Sequence, residues 1–123
     1  MDLGLKDKVA IVSGAGRGLG RTICLTLAEE GAKVGVNDFY LDRAETVAKE
    51  IKDRGGKALA LQADVTNLEQ VREMVRKVVQ TWGRVDIVVH NAGIPAGLLE
   101  SEGIMALAPL FHETEKELSL IHI

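Results

Sequence analysis

Val9-Ala-Ile-Val-Ser-Gly-Ala-Gly-Arg-Gly-Leu-Gly20 joins an apolar, strand-like run to a loop with glycine at every second position, Gly14, Gly16, Gly18 and Gly20. The residues beyond it have helical spacing. Glycine lets a backbone turn sharply and removes the Cβ that would separate its N–H groups from a bound pyrophosphate. A helix starting at the same place adds partial positive charge. The stretch predicts a nucleotide-binding domain built on a strand, a glycine loop and a helix.

Downstream of the loop, Leu19, Ile23 and Leu27 recur every four residues between Gly18 and Glu30, the stripe of an amphipathic helix, and Gly31 is placed to cap it in the left-handed conformation. Lys33–Asp38 is a short β-type run. Ala44, Val47, Ala48 and Ile51 mark a second helix that stops at Gly55-Gly56, and Ala58–Gln62 is a third strand. Thr66 and Glu69 fit a capping box, with Leu68, Val71, Val75, Val78 and Trp82 along the helix it opens and Gly83 closing it. In Arg84–His90, Val85, Ile87, Val88 and Val89 are too continuously apolar for a sheet with one wet face.

Strands alternating with helices in this way argue for parallel β-α-β units, and the expected strand order is 3-2-1-4. In that order the chain leaves the first strand in opposite directions, and a ligand belongs in the crevice at the carboxyl ends of strands one and four. Ser13–Gly20 and Asn91–Gly93 both fall there.

Gly14, Gly18 and Gly20 form G-x-x-x-G-x-G, which differs from the common dinucleotide fingerprint G-x-G-x-x-G. With Ser13 in front, the loop resembles the T-G-x-x-x-G-x-G motif of the short-chain dehydrogenase/reductase family. Asp64-Val65 after the third strand resembles the family's adenine-contacting aspartate and its neighbour. Asn91-Ala92-Gly93 after the fourth resembles its N-N-A-G motif, with His90 in place of the first Asn. The resemblance covers about the first 117 residues and implies a partial doubly wound, Rossmann-like α/β fold that lacks the family's later strands. It implies cofactor contacts from Ser13, Gly14, Arg17, Gly18, Leu19, Gly20, Asp38, Phe39, Asp64, Val65, Asn91, Ala92 and Gly93.

Asp38 ends the second strand about 20 residues past the loop, where a carboxylate accepts hydrogen bonds from ribose hydroxyls and repels a 2′-phosphate. Arg17 points the other way, because a basic residue in the loop can pair with that phosphate. A carboxylate beside a phosphate of about −2 charge is the more direct conflict, so NAD is the expected cofactor and NADP the runner-up. For Arg17 a solvated side chain is an open alternative. Asp64 reads equally as a loop acid bonding its local backbone, and Asn91 can tie strand ends together as well as touch the cofactor.

The remaining chemistry-bearing residues have simpler readings. Cys24 lies one position off the helical stripe and reads as a small, partly buried thiol. His90, His112 and His122 lack ligand spacing, Trp82 continues a core stripe, and Glu113, Glu115, Lys116 and Glu117 form a solvated charge run. The net charge of −3, from 15 basic and 18 acidic residues spread along the chain, offers no basic patch for nucleic acid. A charged start, a lone cysteine and no apolar run near the roughly 18 residues of a membrane span predict a cytoplasmic protein without membrane partners.

In the family, hydride transfer uses a Ser, an Asn and a Tyr-x-x-x-Lys pair beyond the N-A-G motif. The tyrosine acts as general acid or base on the substrate oxygen. Here the one tyrosine is Tyr40, with no Lys at the fourth position, so no catalytic residue is assigned. The resemblance therefore implies the cofactor-binding half, residues 1–117, of an oxidoreductase that acts on a small alcohol or ketone as a homo-oligomer. A non-catalytic nucleotide sensor and a structural protein that lost the cofactor are the alternatives.

Leu118-Ser-Leu-Ile-His-Ile123 departs from the family pattern and matches one frame of CTG-TCT-CTT-ATA-CAC-ATC, similar to a transposon-end sequencing adapter. The expectation is that residues 118–123 are adapter-derived and stand outside the fold. The fourth strand is then a bare apolar edge that favours association. Ile94–Leu110 is expected to be a loop with a short apolar helix or lid piece near Ile104–Leu110.

Overall fold

Val9, Ala10, Ile11 and Val12 form β1 (Val9–Val12), and none is more than 2% exposed. Successive strand side chains point to opposite faces, so burial at every position requires cover on both sides of the sheet. The computed structural model, which describes residues 4–91 and the pair 121–122, supplies that cover. The order is β1, α1 (Gly18–Glu29), β2 (Lys33–Asp38), α2 (Leu41–Asp53), β3 (Lys57–Gln62), α3 (Leu68–Trp82), β4 (Ile87–Val89) and β5 (Ile121–His122).

All pairings are parallel, in the spatial order β3-β2-β1-β4-β5. Val12 stands opposite Val36 on one side and Val89 on the other, which brings the carboxyl ends of β1, β2 and β4 to one rim. On one face Ala10 and Val12 pack with α1 and α2 through Cys24, Leu25, Val47 and Ile51. On the other, Val9 and Ile11 pack with α3 through Val71, Met74 and Val78. The expected order 3-2-1-4 is present. The edge expected to be bare at β4 carries β5, with Ile121 opposite Ile87, so two residues of the terminal hexapeptide lie along the sheet.

Three local expectations are corrected. The stripe on α1 holds at Ile23 and Leu27, which pack partly buried against the core, but fails at Leu19, which is 68% exposed, and the buried positions are Gly20, Cys24 and Leu25. Gly20 causes this, because its bare Cα sets the helix backbone against the glycine loop and turns the neighbouring Leu19 outward. Cys24 is consequently fully buried, and burial pushes its thiol up to about 12. The N-cap of α3 is Asn67, whose Oδ1 accepts from the Gln70 N–H at 3.1 Å, rather than Thr66. Thr66 donates both its N–H and its hydroxyl to Asp64 Oδ1, and Glu69 pairs with Arg72.

The fourth strand is shorter than its apolar run. Val85 and Asp86 are buried ahead of it, and Asp86 Oδ2 accepts the Val9 N–H at 2.9 Å. A side chain there takes the place of a ladder carbonyl. The expectations for Ile94–Leu110, for His112 and for the charge run Glu113–Glu117 lie outside the described residues. Among the described residues no helix is long and apolar enough to cross a membrane.

Candidate nucleotide-binding site

The carboxyl rim of the sheet gathers the glycine loop from β1, Asp38 from β2 and Asn91 from β4. Ser13 closes the seam between β1 and β4. Its N–H donates to Val89 O at 3.0 Å, its hydroxyl donates to the same carbonyl at 3.2 Å, and that hydroxyl accepts the Asn91 N–H at 3.0 Å. Asn91 then reaches back, donating from Nδ2 to Gly14 O at 3.2 Å. The tie between strand ends read for Asn91 is thus present. Ala92 and Gly93 lie outside the described residues.

Two kinds of glycine build the loop. Gly14 and Gly18 hold φ of +60° and +59°, a conformation that L side chains rarely adopt. Gly20 is needed for space, since a methyl there would lie 2.5 Å from Asn91 Nδ2 and 2.9 Å from Ala15 Cα. At Gly18 a methyl would meet nothing within 4 Å, so the loop faces open room at the start of α1. Arg17, exposed and extended at φ −165°, is the N-cap residue and supplies no side-chain bond, and the first turn holds no acid. The first N–H groups of a helix have no partner in its own ladder. Here a dipole equivalent to about half a positive charge meets no acid in the helix's own first turn. A loop with bare backbone, open space and uncapped amides fits a pyrophosphate.

Asp38 is 6% exposed, and both of its oxygens are held by backbone. Oδ2 accepts the Gly16 N–H and Oδ1 the Tyr40 N–H, each at 3.0 Å. The carboxylate is thereby fixed at the rim beside the loop, with lone pairs remaining for hydroxyl donors. Asn37, 1% exposed, adds support, because its carbonyl accepts the Ala15 N–H at 2.8 Å and its amide donates to Leu61 O and Ala63 O.

Around Asp38 the rim is apolar and exposed: Phe39 is 56%, Tyr40 52% and Leu41 45% accessible. Phe39 and Tyr40 meet edge to face at 5.1 Å, and the Arg43 guanidinium lies 4.5 Å above the Tyr40 ring. Tyr40 is thus occupied as the residue leading into α2. Asp64 and Val65 follow β3 at the same rim, both half-buried. Asp64 Oδ1 closes a local turn onto Thr66, so the backbone-bonding reading describes the bonds that this carboxylate makes.

The sequence places Gly16 in the loop without assigning it a contact, and does not point to Asn37 or Arg43. The alternation of glycines was a signal for Gly16, but the family motif leaves that position unspecified. Nothing local distinguishes Asn37, whose partners lie 24 and 26 residues away.

A model of the short chain dehydrogenase family matches residues 8–112. The chain is similar to the 3-oxoacyl-acyl-carrier-protein reductase FabG of Staphylococcus epidermidis, 50% identical over 89 residues that cover 72% of this chain and 36% of that protein. It is also similar to cyclohexanol dehydrogenase of a Rhodococcus species, 45% identical over 104 residues, covering 75% and 38%. A short-chain type dehydrogenase/reductase from Mycobacterium marinum superposes with a TM-score of 0.82 at 31% identity, covering 96% of this chain and 56% of that one. The chain spans about a third of the length of the curated relatives it matches.

Proposed function

The chain belongs to the short-chain dehydrogenase family, and from that premise we propose that it is the cofactor-binding half of an NAD-dependent oxidoreductase. The observation that carries this reading is the shared rim: an uncapped, glycine-lined helix start beside a buried carboxylate at the end of β2. The backbone of Gly14–Gly20 holds the pyrophosphate, Asp38 the adenosine ribose, Asp64 and Val65 the adenine side, and Asn91, Ala92 and Gly93 the nicotinamide side. When bound, the nicotinamide supplies or accepts the hydride. Asp38 prefers NAD, because a 2′-phosphate of about −2 charge would face a fixed carboxylate; NADP is the weaker alternative.

The substrate class is a small alcohol or ketone, in keeping with the alcohol and 3-oxoacyl chemistry in the relatives' names. The acid–base group on the substrate oxygen comes from outside residues 1–123, since Tyr40 is the sole tyrosine and leads into α2. The complete enzyme is a cytoplasmic homo-oligomer. Titrating the chain with NADH and following nicotinamide fluorescence tests the reading. Saturable binding without alcohol oxidation or ketone reduction is expected; failure to bind either NADH or NADPH overturns it.

The alternative reading is a nucleotide-binding module without catalysis. It predicts that a longer gene product, if the gene encodes one, binds NADH and turns over no alcohol or ketone.

A further inference from the structure

We propose that Gly16 is a positioning residue that decides which adenosine ribose the site accepts. The inference rests on the nucleotide reading above. Gly16 is not among the glycines with positive φ, so its backbone conformation is open to any residue. What it provides is space. A methyl at Gly16 would lie 2.6 Å from Asp38 Oδ2, 3.0 Å from Asp38 Cγ and 2.5 Å from Arg43 Cβ. The Arg43 Cβ moves only with the first turn of α2. The carboxylate can rotate away, but it then leaves the Gly16 and Tyr40 N–H groups that hold it at 3.0 Å.

The bare backbone at Gly16 is therefore a slot for one carboxylate. Docked there, Asp38 offers its remaining lone pairs to a pair of ribose hydroxyls and opposes a 2′-phosphate. Arg17 is the next residue along the loop, and Arg43 begins across from Gly16. With the carboxylate expelled, the same rim presents these cations without the opposing charge, and guanidinium groups suit phosphate. A side chain at position 16 thus shifts discrimination from the hydroxyl form of the ribose toward the phosphorylated form, although it touches neither.

The test titrates the chain and its Gly16→Ala, Asp38→Ala and double variants with NADH and with NADPH, after thermal melting establishes folding. The expected result is a preference for NADH of about tenfold or more in the unaltered chain, falling to within about twofold in Gly16→Ala. The double variant should match Asp38→Ala alone, because both changes act through one carboxylate. A folded Gly16→Ala that keeps the original ratio, multiplicative effects in the double variant, or an NADPH preference in the unaltered chain overturns the assignment. Failure of the unaltered chain to bind either nucleotide overturns the proposed function and the inference with it; binding with unmoved discrimination overturns the inference alone. Should Gly16→Ala not melt cooperatively, amide exchange decides. In Asp38→Ala the Gly16 amide should exchange at least about tenfold faster while the Ala15 amide, bonded to Asn37 O, is unchanged. Equal protection of Gly16 in both chains overturns the slot.

Discussion

Two buried aspartates sit at opposite ends of the same sheet and are treated differently. Asp86, 5% exposed, precedes β4 at the amino rim; Asp38, 6% exposed, ends β2 at the carboxyl rim. Asp86 accepts the Val9 N–H on one oxygen and the Arg84 Nε and Nη2 on the other, so its charge is met by a cation inside the fold. Asp38 accepts two backbone N–H groups, and no ion pair reaches it among the described residues. The nearby Arg43 guanidinium lies over Tyr40 instead. Burial alone therefore does not separate these two acids; their partners do. Asp86 is closed by a cation inside the fold, whereas Asp38 is held by backbone amides and retains the lone pairs that the proposed ribose contact would use.

The largest effect should come from Asp86→Ala, which strands the Val9 N–H and unpairs Arg84. Urea unfolding should show a loss of about 3 kcal/mol. A loss below about 1 kcal/mol would erase the contrast. Asp38→Ala should cost less stability, about 1–2 kcal/mol, because its partners sit at an open rim that water reaches. Its larger consequence should be in nucleotide discrimination, read by the paired NADH and NADPH titrations.

Cys24 is a third buried acid and marks the neutral extreme. Its thiol lies at 0% exposure among apolar side chains, and desolvation raises it from 9.0 to about 12. The folded state thus holds the proton more tightly than the unfolded state. The corresponding stability is full below pH 9 and is lost as pH rises toward 12. Denaturant unfolding at pH 8 and at pH 10 should differ by about 1 kcal/mol from this group, and Cys24→Ala should abolish that difference. A pH slope unchanged in Cys24→Ala would show that another group carries it.

The same contrast between closed and open groups recurs at two helix starts. On α3 Asn67 caps the Gln70 N–H, so Asn67→Ala should cost about 1 kcal/mol in thermal or urea unfolding. Thr66→Val, at the position the capping-box pattern favoured, should cost less than Asn67→Ala because its hydroxyl serves only the Asp64 turn. The reverse ranking would restore the capping box. On α1 Arg17 has the extended backbone of a cap residue without a capping side chain. Arg17→Ser should therefore stabilise the chain by about 0.5 kcal/mol while weakening NADH binding, since the new hydroxyl fills an amide left for phosphate. Stabilisation accompanied by tighter NADH binding would mean that the uncapped start is not reserved for the ligand.

Much of the architecture was legible because its signals are local. The glycine spacing, the continuous apolar run of β1 and the stripes on α2 and α3 each lie within one element, and the parallel order 3-2-1-4 follows from their alternation. Less of the site was legible. Asp38 could be placed at the end of β2, but its Gly16 partner stands 22 residues upstream. The α1 stripe misled because Leu19 satisfies helical periodicity as well as Gly20 does, and only the approach of the loop chooses between them. Asn67 prevailed over Thr66 because Asp64 had already engaged the Thr66 hydroxyl.

The sequence by itself determined the strand–glycine loop–helix unit, the parallel α/β class and the family, since these rest on periodicity and on residue types that act through their own backbone. Tertiary structure alone decided that Leu19 of α1 faces outward, that β5 lies along β4, that Ser13 bonds across to Val89, and that Asp38 is docked on Gly16. The physical reason is that a hydrogen bond or a steric contact depends on distance in space. Residues 13 and 89, or 16 and 38, come together only when separate elements pack on one sheet.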